Sequence, residues 1–185
     1  MANFTQKAIK ESLLKLLNEK PLNKISVKDI VEDCGINRNS FYYHFQDIPS
    51  LLEQMVTDQA SEIIEEYPTI DSLDKCIEVA TEFALKNRTA AMHIFNSVNR
   101  DVLERYIMNV CENMVTKYLD SALAGYDIKA DDREIGIHLI TCSLFGLVVD
   151  WMNSGMNEDA PKDISRICEL CRGIPAEIIQ RSLSN

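Results

Sequence analysis

The alternation of apolar and polar positions is helical almost throughout. Between about 5 and 19, Ile9, Leu13, Leu16 and Leu17 share one face, while Lys7, Lys10 and Glu11 fall elsewhere, the spacing of an amphipathic helix. Pro21 and Asn23 close it. Ser26 has the residue type of an N-cap, and Asp29 three positions on makes a variant capping box. Val27, Ile30 and Val31 form the buried face of that second helix, and Gly35 supplies its C-cap. Asn37 caps a short helix over about 38–44. Asp47 caps a fourth, with Pro49 tolerated in its first turn, running to about Glu66 before Pro68. Further helices are predicted from Ser72 to about Lys86, around 89–97, from near Asp101 to near Gly125, and from Asp131 or Asp132 to Gly155. Pro161 opens one that reaches Arg172, and Pro175 starts a last short one. No strand-like run with bounding turns occurs, so the fold class is all-α. A three-helix head over 1–48 leads into a larger helical bundle over 49–185.

Composition adds little and charge adds more. Hydrophobic residues are 46% and charged residues 26% of the 185, a globular balance. A chain this long buries enough surface to need no disulfide or metal staple. No apolar run of about 18 residues is read as a membrane span. The amino end MANFTQKAIKESLL lacks the order of a secretory signal, so a cytoplasmic protein with no membrane partner is expected. The formal charge of −10 counts against nucleic acid. Yet residues 1–50 hold 7 basic and 6 acidic groups, against 12 and 23 over 51–185. The acidity belongs to the body, and the head remains free to meet DNA.

Residues 26–44 have the form of a helix-turn-helix: a helix ending at glycine, a three-residue turn and a short polar-fronted helix. A helix entering a major groove must lead with groups that bond base edges. Arg38 suits guanine, Asn39 adenine, and Ser40 either. In the cluster Phe41-Tyr42-Tyr43-His44-Phe45, alternate members pack inward while others face phosphates, where Tyr42 and His44 can donate. Lys28 can reach a phosphate or a base edge. The plainer alternative is a small helical head whose aromatics are simply core.

The stretch VKDIVEDCGINRNSFYYHFQDIPSLLEQM, residues 27–55, closely resembles the DNA-binding head of TetR/AcrR transcriptional regulators. The likeness covers about residues 5–56 and centres on Gly35 and Tyr42–Phe45. It implies that 38–44 is the recognition helix. Lys28, Arg38, Asn39 and Ser40 align with base-reading positions. Tyr42 and His44 align with phosphate-contacting ones, and Thr5 and Lys7 with the backbone-contacting start of the first helix. One departure stands out. The lysine common just after the His-Phe pair is absent, and Gln46, Asp47, Ile48 and Pro49 occupy that region. Fewer phosphate contacts and a shallower salt dependence follow, with the amino end of the fourth helix still offering N–H groups to a phosphate.

For the body, the resemblance implies a bundle that binds a small-molecule effector and forms a homodimer through its last helices, near 132–154 and 162–182. The residues are compatible. Ile135, Leu139, Ile140, Leu144, Phe145, Leu147, Val148, Val149 and Trp151 spread over more than one face of a single helix, which then needs cover on several sides. Gly136 and Gly146 allow close helix approach. A monomeric bundle with this helix at its centre is the alternative. Two heads related by a twofold axis would read a palindromic operator in double-stranded DNA. Met92, His93, Phe95, Tyr106, Met114, Phe145 and Trp151 are candidates for an effector pocket, and equally for ordinary core. His93 and His138 read as satisfied structural histidines. The acidic body leans toward a neutral or cationic effector.

No G-x-S-x-G, P-loop, G-x-G-x-x-G or H-E-x-x-H occurs, so neither an enzyme nor a metal or other cofactor is expected. Cysteines at 34, 76, 111, 142, 168 and 171 sit among apolar neighbours, and most read as small core residues. Cys168 and Cys171 form a C-x-x-C without the partners of a zinc site. The function expected is a homodimeric, ligand-controlled repressor. The rivals are a helical regulator or activator working mainly through protein contacts, and a cysteine-based redox switch.

Overall fold

The computed structural model describes residues 2–97, 100–171 and 173–183, and all regular structure among them is helical. The helices are α1 (Ala2–Glu19), α2 (Val27–Asp33), α3 (Arg38–His44), α4 (Ile48–Glu66), α5 (Leu73–Lys86), α6 (Arg88–Phe95), α7 (Arg100–Leu123), α8 (Ala130–Asn153), α9 (Ala160–Cys171) and α10 (Ile174–Leu183). Short 3-10 turns lie at Leu22–Lys24 and Ile70–Ser72. The chain divides into two compact units. One comprises Met1–Gln59 with Lys86–Tyr106, the other Ala60–Leu85 with Ile107–Asn185.

The first unit is built on α1, whose Ile9, Leu13, Leu16 and Leu17 are all buried. Ile30 and Val31 of α2, Phe41 and Phe45 at α3, and Leu51 and Leu52 of α4 complete its core. Ser12 Oγ donates to the Ile30 carbonyl at 3.3 Å, tying α1 to α2. Residues 86–106 fall within the 49–185 span expected for the body, yet they pack in this unit. The reason is that α6 has its own apolar face, Ala90, Ile94 and Phe95, and lays it near α1. His93 Nδ1 stands 2.7 Å from the Leu17 carbonyl. A carbonyl only accepts, so Nδ1 carries the proton. Tyr106 OH donates to the Pro49 carbonyl at 3.3 Å.

The second unit holds two apolar clusters. Ile63 and Ile64 of α4, Cys76 of α5 and Tyr118 of α7 form one. There the Tyr118 hydroxyl donates to the Tyr67 carbonyl, and burial pushes its phenol well above its ordinary pKa. Val115, Leu119 and Leu123 of α7 meet Ile137 of α8 in the other. Gly136 serves an intrachain approach: a Cβ there would stand 3.4 Å from Ile178 of α10. Arg133 forks onto Asp120 with two 2.7 Å bonds, and Ser182 Oγ donates to Asp132 at 2.6 Å. These polar ties hold α8 to α7 and to α10.

Two sequence expectations need correction. A stretch within α8 reaches a mean hydropathy of 1.7 over 18 residues, so α8 is long and apolar enough to cross a membrane by length and composition. Its apolarity has two sources: an inner face in the cluster above, and an outer face on which Ile135 is 67% and Leu139 62% exposed. Most of the described cysteines, moreover, are not core. Cys76 and Cys111 are buried, Cys34 is half-buried, and Cys142 and Cys171 are exposed. The side chain of Cys168 lies outside the described residues.

Candidate nucleic-acid interface

Each element of the helix-turn-helix is set by its own residues. Ser26 Oγ accepts from the Asp29 amide at 3.3 Å, and Asp29 accepts from the Ser26 amide at 2.7 Å, a closed capping box. Bonds from the Ser26 hydroxyl and amide, with Lys20 at 3.2 Å, hold the Asp29 carboxyl at about 2. Beyond α2, Gly35 takes φ +68 and the chain reverses, letting the Ile36 amide donate to the Val31 carbonyl at 3.0 Å. Nothing lies within 4 Å of a Cβ built at Gly35. Backbone conformation, not crowding, selects glycine there. Asn37 Oδ1 then accepts from the Ser40 amide at 2.8 Å and starts α3.

On α3 the helical period decides which aromatic faces where. Phe41 and Phe45 are four apart and both buried, with ring centroids 5.9 Å apart. Arg38, Asn39, Tyr42 and Tyr43 are thereby turned to solvent on one short helix. No ion pair among the described residues engages Arg38. Tyr43, 81% exposed, is the most open aromatic described in the head, ahead of Phe4 at 79%, and sequence reasoning passed over it. The 3.6-residue period applied to Phe41 and Phe45 would have found it. His44 is half-buried, edge-to-face with Tyr43 at 4.9 Å. Ser40 is half-buried too, and its hydroxyl lies 3.1 Å from Asn37 Oδ1. That bond uses its proton, so only lone pairs remain for a base. Lys28 is exposed on α2 and pairs loosely with Glu32 at 3.6 Å. Thr5 is half-buried on α1, where Lys7 is exposed and 3.9 Å from Glu11.

The amino end of α4 offers less to a phosphate than its position suggests. Asp47 Oδ1 accepts from the Ser50 amide at 2.8 Å, the Leu51 amide donates to the Asp47 carbonyl at 3.2 Å, and Pro49 has no N–H. Only the Ile48 amide is left, beside a carboxylate. The N–H groups expected at this helix end thus reduce to that one, behind an acidic cap.

The seven candidate effector residues are divided between the units. Met92, His93, Phe95 and Tyr106 lie in the first, and Met114, Phe145 and Trp151 in the second. The buried Phe95 ring carries the Arg100 guanidinium 4.2 Å above its centroid. Trp151 Nε1 donates to the Asn157 carbonyl at 3.0 Å, and Met114 packs on the Tyr118 cluster. A cavity of about 150 Å³ in the second unit is lined by Ser61, Ile64, Glu65, Asn113 and Lys117. None of the seven lines it.

Residues 9–55 match the family model for bacterial regulatory proteins of the tetR family, and residues 71–173 match the model for a transcriptional regulator C-terminal region. The HTH-type transcriptional regulator YxbF of Bacillus subtilis (strain 168) is 24% identical over 182 residues, covering 90% of this chain. The chain spans 44% of that relative's length. Among solved structures, the dihydroxyacetone kinase operon activator DhaS has a TM-score of 0.70 at 17% identity, over 96% of this chain and 97% of its own. NalD, the secondary repressor of the MexAB-OprM multidrug efflux pump in Pseudomonas aeruginosa, has a TM-score of 0.55 at 18% identity, over 91% and 95%.

Proposed function

The chain belongs to the tetR family of bacterial regulatory proteins, and from that premise we propose that it is a homodimeric, effector-controlled repressor acting on a palindromic operator. The family consists of DNA-binding transcription regulators, not enzymes. The observation that carries the specific reading is the outward surface of α3. Arg38 and Asn39 stand exposed at the front of a helix whose back is locked by buried Phe41 and Phe45. Rigid presentation spares the ordering cost that a mobile reader would carry into each complex.

In this reading Arg38 and Asn39 read base edges, with Lys28 beside them and Ser40 reduced to an acceptor and cap. Tyr42, Tyr43 and His44 meet phosphates, as do Thr5 and Lys7 on α1. One α3 reads too few base pairs for selectivity, and a twofold pair reads two half-sites. The exposed Ile135, Leu139 and Leu147 on α8 support pairing through that helix, near 132–154, with the segment over 162–182 beside it. Effector recognition is proposed on the second unit, where Met114, Phe145 and Trp151 lie. Met92, His93, Phe95 and Tyr106 are assigned to packing of the first unit. The effector would favour a dimer whose half-site spacing no longer fits the operator, and operator would weaken effector binding by the same factor.

Selection of bound sequences from a random duplex pool tests this. A palindrome is expected. On it, Arg38→Ala should cost about 1–3 kcal/mol and relax preference at one position, while Tyr42→Ala weakens all sequences alike. A pool that yields no preferred sequence, or two variants that bind as the parent does, would overturn the reading.

A further inference from the structure

The exposed positions of α8 mix apolar residues with Asp131, Glu134, Ser143 and Asp150, and near the middle they bring together two potential metal ligands. His138 and Cys142 are both exposed there, one turn apart, flanked by the exposed Ile135, Leu139 and Leu147. His138 Nε2 and Cys142 Sγ lie 3.8 Å apart, and neither has another polar partner among the described residues. Zinc–sulfur and zinc–nitrogen bonds of ordinary length, at a tetrahedral angle, set nitrogen and sulfur about 3.6 Å apart. The pair is therefore already spaced as two ligands of one ion. His138 does not satisfy itself inside the fold, as the sequence suggests, but points to solvent.

We propose that His138 and Cys142 of two copies bind one zinc-class divalent ion across the α8 seam. The inference rests on the homodimer proposed above. Covering this face takes an imidazole and a thiol out of water with only each other, across a long 3.8 Å contact, as polar partners, a weak return for the water lost. An ion shared between copies satisfies both at once. Among the described residues no group of three candidate ligands occurs within one chain, so one chain cannot complete the site. Twofold symmetry doubles a two-ligand half-site into the four-ligand His₂Cys₂ set of a closed zinc site. Gly146, one turn beyond Cys142, is exposed and has nothing within 4 Å of a built Cβ, which leaves room for a second helix to come close. On ligation each thiol releases its proton, each Nε2 gives its lone pair, and Nδ1 keeps its hydrogen. This nitrogen and sulfur set suits zinc or cobalt, not magnesium or calcium.

The test titrates the reduced full-length chain with Co²⁺ and then Zn²⁺, following the absorption of tetrahedral thiolate-bound cobalt, with light scattering on the same samples. Expected are a dimer, saturation at one cobalt per two chains, and displacement by zinc. Cys142→Ser and His138→Gln should each abolish the band while leaving helical circular dichroism unchanged. A dimer without a saturable band, or a band that survives Cys142→Ser, overturns the metal site and leaves the dimer standing. A species that stays monomeric with metal present overturns both.

Discussion

Replacing Ile135 and Leu139 together by glutamine separates a paired α8 from a solitary one. Glutamine is a good helix former of similar length, so α8 itself should persist. Fully burying an isoleucine or leucine side chain is worth about 1.5–3 kcal/mol. Within one chain Ile135 and Leu139 are still 67% and 62% exposed, so about two-thirds of that, roughly 1–2 kcal/mol each, is ungained until a partner covers them. A twofold seam contains both residues twice, so the double variant forfeits about 4–8 kcal/mol of association free energy, an upper estimate. That corresponds to roughly a thousand- to million-fold weaker dimer. Sedimentation velocity across a concentration series reads this directly. Thermal stability of the variant at a concentration where both proteins are monomeric should match the parent within about 0.5 kcal/mol, as for other exposed positions. A variant that dimerises as tightly as the parent refutes the argument that this face is the seam.

Three further outcomes follow from the geometry. Gly35→Ala should destabilise the first unit by about 1–2 kcal/mol through its left-handed backbone alone, with Gly35→Asn in between; equal melting curves for all three would remove the turn assignment. The Asp29 carboxyl is held at about 2, below the ordinary value near 4. Its depressed pKa means the ionised capping box contributes fully above about pH 4 and is lost as pH falls through about 2. Asp29→Asn should flatten that limb of an acid titration followed by circular dichroism, and an unchanged limb would assign the acid sensitivity elsewhere. Burial raises the Cys111 thiol to about 11, so at pH 8 only about one in a thousand is thiolate. Native protein treated with iodoacetamide should keep Cys111 and Cys76 intact by mass spectrometry until denaturant is added, and ready native modification of either would contradict their burial.

Much of the head was legible along the chain because its determinants are local. The Ser26, Asn37 and Asp47 caps each bond an amide three residues on, and a pattern that short is visible in any window. The left-handed turn at Gly35 is likewise a property of one residue. The site was read less completely. Arg38 and Asn39 emerge exposed, whereas Ser40 turns out to spend its hydroxyl on its own cap, and Tyr43 shares the outward face that alternation had reserved for Tyr42 and His44. Alternation is a strand rule; Phe41 and Phe45 obey the helical period and turn both intervening tyrosines outward.

Helix positions, caps and the polar front of α3 follow from spacing and side-chain chemistry, which act within a few residues and need no knowledge of the rest of the chain. Which helices become neighbours does not follow. His93 meets Leu17 across 76 positions of sequence, and α6 joins α1 because two apolar faces fit, a choice no local pattern encodes. The two sides of α8 make the same point. Its residues announce apolarity all round, but only packing against α7 and α10 determines that Ile137 is covered while Ile135, Leu139 and the His138–Cys142 pair remain open to water.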